Sequence, residues 1–97
     1  NKINQIGEAK VDLNKMSIQL KNKISKINNS EKKVLIEMLA NPGKTYSRTE
    51  IGEISNISQD RSIDVMITRL RQKIELNPKN PKYLKTIRGS AYVLWIE

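Results

Sequence analysis

The sequence predicts an α+β fold: a small antiparallel sheet, then three helices, then a closing β-hairpin. Three observations carry that order. Residues 1–27 fall into short alternating stretches, residues 28–76 hold three apolar runs at helical spacing, and residues 83–96 alternate again around a Gly-Ser turn. Ninety-seven residues suffice for one domain with a modest core. Its expected divisions are a sheet over 1–27, a three-helix core over 28–82 and a hairpin over 83–97.

In the first division the apolar pairs are Val11 and Leu13, Ile18 and Leu20, and Ile24 and Ile27. The breaks at Asn14-Lys15 and Lys21-Asn22 read as tight turns, which makes the stretch a meander. Asn29-Ser30-Glu31 offers an N-cap to a helix carrying Val34, Leu35, Met38 and Leu39. Asn41-Pro42-Gly43 ends it. Ser47 caps a second, shorter helix with Ile51 and Ile54, and Glu50, three residues on, completes a capping box.

Ser58-Gln59-Asp60 leads into the third helix, expected to run to about Leu76 and to stop at Asn77-Pro78. The hairpin follows as Leu84 to Arg88, a turn at Gly89-Ser90, and Tyr92 to Ile96. Three helices followed by a hairpin are the outline of a winged helix-turn-helix.

The third helix is the most informative part of the chain. Wound at 3.6 residues per turn, Ile63, Ile67, Leu70 and Ile74 line one face, and Arg61, Val65, Thr68, Arg69 and Gln72 the other. Three of the five arginines sit here, in a chain with thirteen lysines. Arginine presents a planar fork of donors suited to phosphates and guanine edges. A solvated basic face is the bland reading. The formal charge of +8 favours an anionic partner, most often nucleic acid.

Other classes find little support. The chain has no His and no Cys, so the commonest general base and the best nucleophile are missing, and its ten carboxylates are scattered. No enzymatic activity, cofactor or metal site is expected. The absence of Cys also removes disulfides and fits a reducing, cytoplasmic compartment. No apolar stretch approaches a membrane span and no signal peptide is visible, so no membrane partner is expected. A chain that opens on Asn1 without Met reads as a fragment of a longer protein. Gly43-Lys44-Thr45 resembles the end of a phosphate-binding loop, but Met38 stands where that motif needs its first Gly. The lysines at 21, 23, 26, 32 and 33 read as a solvated face.

Several runs resemble one family: Arg61-Ser-Ile-Asp64, Ile67-Thr-Arg-Leu-Arg-Gln-Lys73, Pro78-Lys-Asn-Pro81-Lys-Tyr83 and Thr86-Ile-Arg-Gly89. With Ile6-Gly7, and Asn41-Pro-Gly43 followed by Ser47-Arg48, they are similar to the OmpR/PhoB-type effector domain of bacterial response regulators. The resemblance implies a four-stranded N-terminal sheet, a three-helix core and a C-terminal wing. It also implies sequence-specific binding of double-stranded DNA in transcription regulation, downstream of a phosphorylated receiver domain that is absent here. A second copy of the domain on tandem half-sites is a further implied partner. A winged-helix module that binds protein and has lost DNA binding is the alternative, and arginines at all the matching positions speak against it.

Carried over by position, Arg61, Thr68, Arg69 and Arg71 lie where the family's third helix meets DNA. Arg69 is the expected base-edge contact, with Arg61 and Arg71 nearer the phosphates. Gln72 shares that face. Val65, apolar at its centre, is placed to touch a thymine methyl, although an exposed Val usually has no role. Arg48 is expected on a phosphate near the start of the second helix. Arg88 is expected in the minor groove, and Thr86 and Tyr92 near phosphates, with Tyr92 equally suited to the core.

The chain also departs from the family. Met66 stands where His is common, and Lys32 replaces a core aromatic. Ala91 stands where the wing has a second Gly. The loop from Asn56 to Asp60 is short and lacks the usual Trp, which disfavours the contact that many members make there with RNA polymerase.

Overall fold

The computed structural model describes residues 3–89 and 91–96. Strands β1 (Ile3–Ile6), β2 (Ala9–Asp12), β3 (Ser17–Leu20) and β4 (Lys23–Lys26) form an antiparallel meander in that order. Its inner face follows the pleat: Ile6, Ala9, Val11 and Ile18 are fully buried, while Gln5, Lys10 and Gln19 point to solvent. The two turns read from the sequence are present, at 13–16 and 21–22. A third, at Gly7-Glu8, joins β1 to β2. Gly7 has φ +57, and a Cβ there would lie 2.2 Å from Cζ of Tyr83, so the backbone conformation and the overlying ring both call for glycine.

Three helices follow: α1 (Asn29–Ala40), α2 (Arg48–Ser55) and α3 (Asp60–Ile74). The cap of α1 falls one residue earlier than the sequence suggests. Asn28 Oδ1 accepts from the Glu31 N–H (2.8 Å) and Glu31 Oε1 accepts from the Asn28 N–H (2.9 Å), a reciprocal box that only Asn28 is spaced to make. The Ser47–Glu50 box at α2 is as expected, with the Glu50 carboxyl held below its ordinary range by the backbone N–H of Ser47. Helix α3 ends at Ile74, two residues short of the expectation. Glu75 has turned to extended backbone there and uses its carboxylate elsewhere.

The C-terminal sheet has three strands, not the two of a plain hairpin. Strand β6 (Leu84–Ile87) pairs with β7 (Ala91–Leu94), and β5 (Thr45–Ser47) pairs with the other edge of β7, setting Tyr46 opposite Tyr92. Three residues are too few for an alternation signal, and their partner lies far along the chain, so β5 is invisible to periodicity. Inner residues of the first sheet, the helices and β6–β7 meet in one core, with Leu35, Met38, Ile51, Ile63, Ile67, Leu70, Leu84 and Leu94 at its centre. At roughly 1.5–3 kcal/mol for each fully buried aliphatic side chain, this cluster holds α3 and the hairpin in one frame.

Candidate nucleic-acid interface

The apolar stripe of α3 is sealed into the core: Ile63, Met66, Ile67, Leu70 and Ile74 are all buried. Met66, where the family carries His, packs there. The opposite face is open. Arg61, Ser62, Val65, Thr68, Arg69 and Gln72 are exposed, and with Asp64 most of them line a shallow groove of about 350 Å³. Neither Arg61 nor Arg69 makes a hydrogen bond or ion pair among the described residues, so both guanidinium groups are available to a ligand. Val65 lies between them at 41% exposure, an apolar spot ringed by donors. Thr68 donates its hydroxyl to Asp64 O (2.9 Å), the back-bond common for Thr within a helix.

Arg48 and Tyr92 occupy different surroundings. Arg48 lays Nε and Nη2 on the two oxygens of Asp64, each at 3.0 Å, and its Nη1 stands 3.8 Å from Asp60. Tyr92, 4% exposed, donates its hydroxyl to the same Asp64 carboxylate. One carboxylate on α3 thus fastens the start of α2 and the middle of β7. The Tyr92 hydroxyl, then the Arg48 guanidinium, hold the Asp64 carboxyl below its ordinary value, against the opposing effect of desolvation. Burial, reinforced by the anionic neighbour, pushes the Tyr92 hydroxyl up. The ring of Tyr92 is therefore core and its hydroxyl is engaged within the protein.

The wing is tied to the last turn of α3. Arg71 Nε donates to Leu84 O (2.8 Å) and Nη2 to Thr86 Oγ1 (2.7 Å). Glu75, 3% exposed, accepts from the N–H groups of Lys82 and Tyr83 (2.9 Å each) and Leu84 (2.8 Å). At the free end, Arg88 and Gly89 have φ +52 and +77 and Arg88 is exposed. The expected turn continues into Ser90, which lies outside the described residues. Arg88 is an unusual occupant of a left-handed position, where glycine or asparagine is the common choice. A last tie joins α3 to α1: Lys73 Nζ donates to both oxygens of Glu31 (3.1 Å each), and Glu31 is 1% exposed.

Of the ten residues singled out from the sequence, the structure brings Arg61, Val65, Thr68, Arg69 and Gln72 together on one open face, with Arg88 at the wing tip. Arg48, Arg71, Thr86 and Tyr92 lie nearby but are bonded to the protein itself. Sequence reasoning missed Asp64 and Glu75 as organisers, and an acid inside the basic run with another just past its end was the available signal. Among the described residues no group of carboxylates could hold a metal ion, and no helix is long and apolar enough to cross a membrane.

A helix with unpaired arginines on a three-helix core, beside a hairpin tipped by a further arginine, defines a winged-helix DNA-binding domain. Residues 22–94 match the family described as transcriptional regulatory protein, C terminal, and the chain belongs to that family, in its OmpR/PhoB-type branch. Its place there is that of a response-regulator effector domain, a class of DNA-binding regulators distinct from enzymes.

Among curated relatives, the chain is 32% identical to the protein PetR of Rhodobacter capsulatus, across 92% of this chain and 41% of that one. The chain spans about two fifths of the length of such relatives. Among solved structures it is similar to the response regulator DrrB of Thermotoga maritima, an OmpR/PhoB homologue (TM-score 0.79, 29% identity, 96% of this chain and 44% of that one). It also matches the C-terminal effector domain of BfmR from Acinetobacter baumannii (TM-score 0.73, 33% identity, 98% and 91%).

Proposed function

We propose that α3 lies in the major groove of double-stranded DNA and selects its sequence, while the β6–β7 wing reaches the adjacent minor groove. The observation that carries this reading is the pair of unpaired arginines, Arg61 and Arg69, flanking the exposed Val65 on the one face of α3 that the core leaves open. Arg69, near the middle of that face, reads a base edge. Arg61 lies on phosphate, Val65 touches a thymine methyl, and Thr68 and Gln72 fill the remaining donor and acceptor positions. Arg88 supplies the minor-groove contact. Arg48 and Thr86 stand behind this set, close enough to the groove walls to add phosphate contacts at its margin, whereas Tyr92 is spent in the core.

In the intact protein a receiver domain governs this module as part of a cytoplasmic two-component system, as the greater length of the relatives suggests. The isolated domain is a monomer that binds tandem half-sites about 10–10.5 bp apart, one copy to each. The short loop between α2 and α3 disfavours activation through a polymerase contact at that point.

Selection of bound duplexes from a random pool, followed by affinity measurements on the winner across a salt series, tests the reading. A phosphate-contacting domain loses affinity linearly in log salt, with a slope of about −0.9 per phosphate neutralised. A flat salt response, or no enriched sequence, would overturn it. A stable dimer of the free domain in light scattering would contradict the monomer.

A further inference from the structure

The arginine expected on a phosphate from its position in the sequence, Arg71, is turned toward the wing. Its Nε and Nη2 are committed to Leu84 O and Thr86 Oγ1. Glu75, the residue that caps the end of the same helix, grips the adjoining stretch of chain. Glu75 takes the N–H groups of Lys82, Tyr83 and Leu84. Both backbone polar groups of Leu84, its N–H and its carbonyl, are therefore held by side chains of the last turn of α3 and its C-cap. Thr86 follows on the same face of β6, and Arg88 stands two residues beyond it at the tip.

We propose that Arg71 is a positioning residue that sets the wing, and with it Arg88, at a fixed offset from the major-groove helix. The proposal rests on the DNA-binding reading above. Two donors of one planar fork meet two acceptors on successive same-face residues of β6, which fixes an orientation as well as a distance. A lysine at this position keeps the charge but offers a single rotatable ammonium, which does not impose that orientation. Glu75 anchors the base of the strand, and Arg71 extends the grip toward the tip.

The test has two arms. In the first, the free domain carrying Arg71→Lys or Arg71→Ala is compared with wild type by amide hydrogen exchange. Exchange in β6 should rise on the order of tenfold, as expected for the loss of about one to two net hydrogen bonds in a local opening, while the amides of α1 and α2 stay at wild-type rates. Unchanged exchange in β6 would overturn the proposal whatever the DNA result. A uniform rise across all elements would do the same, because it would show a general stability role.

In the second arm, binding to the selected duplex is measured for Arg71→Ala, Arg88→Ala and the double variant, with A·T-rich and G·C-rich flanks. A positioning role predicts that Arg71→Ala erodes the flank preference in the wild-type background and adds little once Arg88 is gone, because both changes remove one contact. An equal fold-loss in both backgrounds, with a salt slope lower by about 0.9, would show that Arg71 is an independent phosphate contact and would overturn the proposal. If Arg88→Ala alone leaves the flank preference untouched, the minor-groove reading of the wing fails, and the hydrogen-exchange arm still decides the role of Arg71.

Discussion

Arg69 and Arg71 stand two residues apart on α3 and look alike in the sequence, yet they serve different regions of the molecule. On the open face of the helix, Arg61 and Arg69 carry guanidinium groups that none of the described residues engages. At the end of the helix the charged residues are engaged: Arg71 holds β6, Lys73 holds Glu31 at the head of α1, and Glu75 holds the strand leading into the wing. Two residues of helix rotate a side chain by about 200°, which carries it from the open face to the packed one. The contrast teaches that basic residues on a DNA-binding helix divide into those kept free for the ligand and those consumed in holding the reading head together. Their surroundings, not their identity, assign them.

The sharpest way to break this comparison is at Glu75. Glu75→Ala removes the acceptor of three N–H groups near the buried base of the wing, at about 1 kcal/mol or more for each group left unsatisfied. The variant should lose about 3 kcal/mol of stability, seen as a fall in Tm of roughly 15 °C for a domain of this size. A change of only a degree or two would show that water readily replaces the carboxylate and that the last turn is no clamp.

Arg69→Ala tests the front of the helix. It should leave Tm near wild type and cost about 1–3 kcal/mol of binding on the preferred duplex, flattening base preference at one position. Equal weakening on all sequences would make Arg69 a backbone contact. Arg88→Ala is expected to be milder, about 1 kcal/mol, at the lower end of the range for a base-reading contact. It should reduce the preference for A·T-rich flanks and leave the major-groove preferences intact, since narrow A·T tracts concentrate negative potential. Equal loss on both kinds of flank would place Arg88 on phosphates alone.

The smallest effect concerns Asp64, within the front stretch of the helix. Its carboxyl is held below the ordinary value of 3.8 in the folded state. A depressed value means that the contribution is fully present above the ordinary value and is lost as pH falls through the lower, folded one. The stability advantage of wild type over Asp64→Asn should therefore be constant near neutrality and shrink only in the window below about 4. Because the Asp64 side chain is 41% exposed, solvent screening keeps the effect small. An advantage that shrinks already between pH 7 and 5 would show that another group governs the knot.

Much of the architecture was legible in the chain. The Ser47–Glu50 box, the turns around Asn14 and Lys21 and the apolar stripe of α3 are local patterns, and each lies where its local physics places it. The resemblance carried by Arg61 to Gly89 supplied the strand count of the first sheet, which periodicity alone left open. The open face of α3 was legible too, because a buried stripe at 3.6-residue spacing defines its own opposite.

What the sequence determined by itself is which residues are hydrophobic at what spacing, where helices can start, and how many cations the chain can offer a polyanion. Only the tertiary structure decided which cations remain free. The β5–β7 pairing, the Arg48–Asp64–Tyr92 knot and the grip of Arg71 and Glu75 on the wing join residues distant in the sequence, and none leaves a local pattern. The physical reason is range. Helix propensity, capping and alternation act over a few residues, whereas hydrogen bonds between side chains depend on how separate elements are packed, and that is fixed only when the core closes.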